Sequence, residues 1–153
     1  MMTFRVSGIP DHLAEDVRQT MRAPGYGHPA HRELAGGTGP CRRCLRTFTV
    51  GGEDRILFTY QPFEEAGSLP APGPIFIHAD GCEKYVGETL PADLRSLPLV
   101  FDAYSNGGRL IAQERTGVAT SDEQLRDMFV RTNADYVHIR HGEAGCFIAR
   151  VSR

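Results

Sequence analysis

Six segments after residue 54 are rich in β-branched and aromatic residues, and this series of strand-like segments is the feature that most constrains the fold. Asn106-Gly107 separates two of these segments and is typical of the tight turn of a β-hairpin. Tight turns join antiparallel neighbours, so the predicted sheet is mostly antiparallel. The six predicted strands are Arg55–Tyr60, Pro74–Ala79, Leu99–Ser105, Arg109–Arg115, Asp135–His141 and Cys146–Val151.

The N-terminal part of the chain alternates less regularly. Thr3–Ile9 has the alternation of a strand, and Asp11–Arg22 has apolar residues at helical spacing. The stretch Ala23–Pro40 contains several Gly and Pro residues and no apolar period, which predicts a long irregular loop. Loops of this length are usually functional or mobile.

A second helix is predicted with more detail because its start has a capping signal. Ser121–Asn133 has apolar residues on one face, and Ser121 with Gln124 forms the pattern of a capping box. Two helices and about six strands predict an α+β fold, with one mostly antiparallel sheet, both helices on one side of it and a long N-terminal loop. We expect residues 1–153 to form a single domain, because no stretch has the composition and length of a linker.

Composition narrows the functional classes. The net charge of −2 gives no general attraction for phosphate, so a nucleic-acid partner is not expected. The start of the chain has no secretion signal, and no stretch approaches the roughly 20 apolar residues that a membrane span requires. We therefore predict a cytoplasmic protein. Four cysteines in a reducing cytosol indicate free thiols, metal ligands or redox groups before they indicate disulfides.

Four Cys and His residues are spaced as metal ligands. Cys41 and Cys44 form a Cys-x-x-Cys turn, which holds two sulfurs close enough to share one tetrahedral ion. His78 and Cys82 follow a predicted strand, and Gly81 between them would let the chain fold back. We expect these four residues to bind Zn²⁺ and to attach the long N-terminal loop to the sheet.

Two other interpretations of the Cys-x-x-Cys segment stay open. The neighbouring arginines would favour a thiolate, as in a redox protein, but a thioredoxin-like motif follows an apolar strand and this one follows Gly36–Pro40. The cysteines could equally be small half-buried side chains packed on the sheet.

A second group of reactive residues lies in the predicted C-terminal hairpin. His138, Arg140, His141 and Cys146 offer a base, a guanidinium and a thiol, the parts of a nucleophilic site in a thiol-dependent enzyme. Cys41 is the other candidate nucleophile of this alternative. A four-residue turn would place His141 opposite Cys146, whereas a three-residue turn would bring His138 and Arg140 to the face of Cys146. The plainer interpretation is a buried small Cys146 with an exposed His138 and surface arginines.

Three stretches of the chain carry a family resemblance. Pro40–Leu45, Gly73–His78 and His138–His141, the last followed by Gly145-Cys-Phe147 and Arg150, resemble a bacterial family of uncharacterised proteins, the domain of unknown function 1203 family. The resemblance covers most of the chain from Cys41 to Arg153. It implies that Cys41-Arg42, His138 and Gly145-Cys146 match the family's pattern, and it implies no activity.

Glu64-Glu65 is a carboxylate pair, and we interpret it as solvated loop charge because nothing places it beside a cleft.

Overall fold

The computed structural model describes residues 3–63, 72–117 and 119–153, so Glu64 and Glu65 lie outside the described residues. Two α-helices, nine strands and one short 3₁₀ turn make up its regular structure. In chain order the elements are β1 (Arg5–Ser7), α1 (Asp11–Thr20), β2 (His31–Leu34), β3 (Asp54–Tyr60), β4 (Gly73–His78), β5 (Val86–Gly87), the 3₁₀ turn Ala92–Leu94, β6 (Leu99–Ser105), β7 (Arg109–Arg115), α2 (Asp122–Thr132), β8 (Tyr136–His141) and β9 (Phe147–Ser152).

The larger sheet has six strands in the order β5-β1-β9-β8-β6-β7, and each pair is antiparallel. The predicted α+β class with an antiparallel sheet of about six strands is therefore confirmed. The hairpin turn predicted at Asn106-Gly107 joins β6 to β7, and Gly107 and Gly108 have left-handed φ angles of 88° and 80° in it.

A second sheet of three strands, in the order β2-β3-β4, was not predicted. β3 and β4 were expected in the same sheet as the others, but they pair with each other and β3 pairs with β2. β2 lies inside the predicted irregular loop, and that part of the prediction is wrong. Its four residues are exposed or half-buried on both sides, so they carry no apolar alternation that could have indicated a strand.

Both helices were predicted within two residues of their ends. α2 begins after Ser121, whose hydroxyl accepts from the backbone N–H of Gln124, while the Gln124 side chain accepts from the backbone N–H of Ser121. Asn133 ends α2 with a left-handed φ of 53°. α1 ends at Thr20, two residues before the predicted end, because Met21 adopts a left-handed φ of 54°.

The two sheets pack into two main hydrophobic cores. In the first, α2 buries Leu125, Met128 and Phe129 against one face of the six-stranded sheet. In the second, α1 and the three-stranded sheet enclose the segment that contains Cys41 and Cys44. Phe147 of β9 belongs to the second core, so it joins the larger sheet to the smaller one.

Strand periodicity gives the six-stranded sheet a second, more polar face. Val137 and Ile139 of β8 point into the core beneath α2, so Tyr136, His138 and Arg140 point to the opposite face.

Within the described ranges, no helix is long and apolar enough to cross a membrane.

Candidate metal centre

The Cys-x-x-Cys segment is a tight turn held between the two sheets. The backbone N–H of Arg42 donates to the carbonyl of Phe76 in β4 at 2.9 Å, and the Arg42 carbonyl accepts from Ile9 at 2.9 Å. The backbone N–H of Leu45 returns to the carbonyl of Cys41 at 2.9 Å and closes the turn. These bonds fix Cys41 and Cys44 beside the end of β4.

Arg42 itself is part of the interior. Its guanidinium Nε donates to the carbonyl of Phe147 at 2.7 Å, and the side chain is 4% exposed. Burial lowers the pKa of Arg42 to about 10, and the side chain remains a cation at neutral pH. Arg42 therefore ties the Cys-x-x-Cys turn to β9 across the boundary between the two sheets.

The second pair of predicted ligands reaches the turn from β4. His78 is the last residue of β4, and Gly81 has a φ of 102°, which lets the chain reverse and bring Cys82 back towards the sheet. One ligand atom from each of four residues then lies within 4.8 Å of every other. The members of this group, called here the Cys3His cluster, are Cys41, Cys44, His78 and Cys82.

Two distances inside the Cys3His cluster join atoms that are metal ligands elsewhere in proteins. Cys41 Sγ lies 3.8 Å from Cys82 Sγ, and Cys44 Sγ lies 3.4 Å from His78 Nδ1. All four cysteines of the chain are free thiols. Three sulfurs and one imidazole nitrogen in this arrangement are a donor set that could hold a metal ion.

Polar groups outside the cluster orient its members. His78 Nε2 lies 2.9 Å from a carboxylate oxygen of Glu53, the residue just before β3. Arg18 of α1 donates from Nε and Nη2 to the carbonyl of His78 at 3.1 and 2.9 Å, and Nη2 lies 3.5 Å from Cys82 Sγ. The backbone N–H of His78 donates to Cys41 Sγ at 3.4 Å. Such partners fix ring orientation and stabilise negative charge on sulfur.

Burial and mutual proximity also affect protonation of the thiols. Cys41 is fully buried and Cys44 is nearly so, and only Cys82 is half-buried. The hydrogen bond to Cys44, followed by that to Cys82, raises the pKa of Cys41, whereas the same contact from Cys41 lowers the pKa of Cys44. Hydrogen bonding to Cys44 raises the pKa of Arg46. Cys44 is therefore the sulfur that ionises first.

The family pattern of DUF1203 proteins, described as proteins of unknown function, matches residues 38–153 of the chain. The chain belongs to the DUF1203 family. All four members of the Cys3His cluster fall inside the matched range, and the predicted resemblance is confirmed. No curated protein and no solved structure matches the chain. The DUF1203 description assigns no activity, so the function is argued from the site.

The second predicted site of this DUF1203 protein lies in the hairpin of β8 and β9, which has the four-residue turn Gly142–Gly145. The backbone N–H of His141 donates to the carbonyl of Cys146 at 2.9 Å, so these two residues are opposite each other. Their side chains take separate partners. His141 Nδ1 accepts from the backbone N–H of Glu143 at 3.1 Å, and Cys146 Sγ lies 3.8 Å from the carbonyl of Ala144.

Arg140 forms an ion pair with the buried carboxylate of Asp102. Its Nε lies 2.5 Å from Asp102 Oδ2, and Asp102 also accepts from Gln113 at 2.8 Å. Among the residues that the structure describes, no hydrogen bond joins the thiol of Cys146 to the side chain of His138, Arg140 or His141. The catalytic role of these residues stays a prediction. The alternative that His138 is an exposed strand residue is wrong, because its side chain is 0% exposed.

Sequence reasoning missed two residues beside the Cys3His cluster, Glu53 and Arg18. Antiparallel pairing of β3 with β4 places Arg55 opposite His78, and this register brings Glu53 to the imidazole. If the pairing of β3 with β4 had been predicted, it would have indicated Glu53 as a neighbour of the His78 imidazole. Arg18 reaches the site only because α1 packs on the smaller sheet, and no local pattern in the DUF1203 sequence indicates that packing.

Proposed function

We propose that this protein is a zinc-binding domain in which Cys41, Cys44, His78 and Cys82 hold a structural Zn²⁺. The observation that carries the proposal is the convergence of four ligand atoms, from three separate parts of the chain, to within 4.8 Å of one another. Cys41 and Cys44 share a turn, and His78 ends β4. Cys82 follows the reversal of the chain at Gly81. Free cysteines that only fill space have no reason to meet an imidazole nitrogen in this way.

The separations agree with tetrahedral zinc coordination. Zn–S bonds of about 2.3 Å at tetrahedral angles place two sulfurs about 3.8 Å apart, and a Zn–N bond of about 2.0 Å places nitrogen about 3.5 Å from sulfur. The distances of 3.8 Å for Cys41 to Cys82 and 3.4 Å for Cys44 to His78 match these edges. The widest separation of 4.8 Å exceeds an edge by about 1 Å, which small side-chain rotations would close.

The surroundings of His78 favour a metal at Nδ1. The other ring nitrogen, Nε2, lies 2.9 Å from Glu53, so a proton on Nε2 leaves the lone pair of Nδ1 directed at the sulfurs. Histidine ligands of zinc commonly donate their second ring N–H to a carboxylate in this way. Arg18 and Arg46 add positive charge beside the thiolates, which offsets the net negative charge of zinc with three thiolates and one neutral imidazole.

A structural role is favoured because the four protein ligands fill a tetrahedral shell. Catalytic zinc sites usually keep one position for water, with three protein ligands. In this protein the ligands also come from three separate segments, namely the Cys-x-x-Cys turn, the end of β4 and the reversal at Gly81. Metal binding would contribute directly to the free energy of folding by joining these segments.

Metal content and thermal stability test the proposal. Protein purified without chelator should contain stoichiometric zinc by elemental analysis, and a strong chelator should lower its Tm, because apo protein loses the ligand bonds. Co²⁺ in place of zinc should produce the absorption bands of tetrahedral thiolate coordination. Protein without stoichiometric metal and with the same Tm in the presence and absence of chelator would contradict the proposal.

The chain provides a matched control, because one cysteine lies outside the cluster. Cys44→Ser removes a ligand and should lose most of the zinc, with a Tm close to that of chelator-treated wild type. Cys146→Ser makes the same chemical change at a half-buried position and should keep both zinc and Tm. Equal zinc content in the two variants would argue that Cys44 is not a ligand.

A further inference from the structure

A cavity of about 530 Å³ lies on the face of the six-stranded sheet opposite α2, and none of the Cys3His residues lines it. Its walls come from the segment between β1 and α1, the end of β3, the turn after β6, and strands β8 and β9. Its volume is that of a pocket for a small molecule. The cavity is therefore a candidate site separate from the metal centre.

His138 lines this cavity and has unsatisfied polar atoms. Its side chain is 0% exposed, and among the described residues neither Nδ1 nor Nε2 has a hydrogen-bond partner. Aromatic rings surround the imidazole, with centroids 4.8 Å away for Phe63, 5.2 Å for Tyr136 and 5.0 Å for Phe147. Buried polar groups in folded proteins are nearly always hydrogen-bonded, so a partner is expected from outside the described residues.

The described lining of the cavity carries positive charge. Arg150 is opposite His138 in the pairing of β8 with β9, and its guanidinium carbon lies 4.0 Å from the centroid of Tyr136. Lys84 also lines the cavity. Neither cation forms an ion pair with a carboxylate in the described part of the chain, and the described lining contains no Asp or Glu. An anionic group at the mouth would therefore be favoured by two cations that no carboxylate of the described residues neutralises.

The remaining surface of the cavity fits a flat apolar body. Tyr60, Phe63, Tyr136 and Phe147 present aromatic rings to it, and such rings pack against planar groups with offset or edge-on geometry. Burial lowers the pKa of His138 to about 3, so the imidazole is neutral at pH 7 and offers one donor and one acceptor. A hydroxyl group on a planar ligand would match either nitrogen once a ring that covers His138, such as that of Phe63, shifts to admit it.

We propose that this cavity binds a small aromatic carboxylic acid, with its carboxylate at Arg150 and Lys84, its ring among the aromatic side chains, and a polar substituent on His138. This binding site goes beyond the zinc-binding role and does not depend on it.

Binding of three probes, benzoate, 4-hydroxybenzoate and indole-3-acetate, tests the proposal by calorimetry and by NMR of the His138 ring on the protein as purified. At least one probe should bind with a Kd of about 1 mM or tighter and should shift the His138 resonances. The uncharged 4-hydroxybenzamide should bind at least about tenfold more weakly than 4-hydroxybenzoate, because it lacks the charge-assisted contact. Absence of binding by all three acids at millimolar concentration, or equal affinity for acid and amide, overturns the proposal.

Two variants locate the contacts. Arg150→Gln is at an exposed position and should reduce the preference for acid over amide, because only Lys84 then remains to meet the carboxylate, whereas Arg109→Gln, also exposed, should keep the full preference. His138→Phe should weaken 4-hydroxybenzoate by about tenfold with the preference retained, since it removes only the hydrogen bond. The same affinity in Arg150→Gln and wild type would overturn the proposal, and this result does not depend on whether His138→Phe folds.

Discussion

At the scale of single residues, His138 shows how burial changes the chemistry of a side chain. Burial lowers its pKa from 6.5 to about 3, and the nearby Arg150 adds to the effect. In the unfolded chain His138 has its ordinary pKa, so between pH 6.5 and 3 the unfolded state binds more protons than the folded state. Stability attributable to His138 is therefore present above pH 6.5 and is lost as the pH falls towards 3.

His138→Phe should remove this part of the pH dependence. The maximal slope for one group is about 1.4 kcal/mol per pH unit, so wild type should lose about 2 kcal/mol more than the variant between pH 7 and pH 5. Urea denaturation at both pH values measures this difference, and any loss from protonation of the Cys3His cluster is common to both proteins. His31→Phe, at an exposed position, should follow wild type. Parallel pH profiles for His138→Phe and wild type would show that His138 is not buried in its neutral form.

At the candidate metal centre, sequence reasoning was most successful in selecting the individual residues that come together. Cys41, Cys44, His78 and Cys82 could be selected from spacing, because Cys-x-x-Cys and a glycine reversal are local features. The burial of His138 could not be predicted in the same way. Both faces of β8 are covered, one by α2 and the other by aromatic side chains from distant segments, whereas alternation had indicated only one inward face.

At the scale of elements, the pairing of β3 with β4 sets the orientation of His78, one of the proposed metal ligands. Arg55 in β3 is opposite His78 in β4, and Glu53, two residues earlier, reaches His78 Nε2 at 2.9 Å. The backbone N–H of Thr49 donates to the other carboxylate oxygen of Glu53 at 2.7 Å. This bond, with a smaller contribution from His78, lowers the pKa of Glu53 and keeps the carboxylate ionised.

Glu53→Gln should weaken zinc binding by about 10- to 100-fold, because the amide offers only one oxygen for the two donors that Glu53 accepts from. Competition with a chromophoric chelator measures the affinity. Glu83→Gln is the matched control, since Glu83 is adjacent to Cys82 but exposed. An unchanged zinc affinity in Glu53→Gln would mean that Glu53 does not support the metal ligand.

Element bounds were predictable where the signal is local. Ser121 and Gln124 fixed the start of α2 to the residue, because a capping box depends only on contacts within one turn. β2 could not be predicted in this way, since its polar, exposed residues become a strand only through hydrogen bonds to β3. The separation into two sheets depends on such long-range pairings, which single-strand patterns do not specify.

At the scale of the whole molecule, the Cys3His cluster is attached to one of the two main cores. Cys41 and Cys44 pack in the core around α1 and the smaller sheet, whereas α2 covers the other core, which contains no residue of the cluster. Interactions that hold the metal ligands in place are therefore concentrated in the second core. Loss of metal should loosen the second core first.

Hydrogen exchange with and without chelator tests this expectation. Chelation should increase amide exchange in α1, β3, β4 and residues 41–48, while α2, β6 and β8 keep most of their protection. Cys146→Ser protein should give the same difference map as wild type. A uniform increase over both cores would contradict the expectation and would indicate that the two cores open as one unit.

The buried guanidinium of Arg42 means that the two spacer residues of the Cys-x-x-Cys motif are not interchangeable. Arg42 holds the carbonyl of Phe147, whereas Arg43 reaches outward to Asp11 at 2.9 Å. Grafting only the four proposed ligands onto another scaffold would omit this buried hydrogen bond between Arg42 and β9. A sequence search that accepts any residue between the two cysteines would likewise accept chains in which no arginine joins the Cys-x-x-Cys turn to the larger sheet.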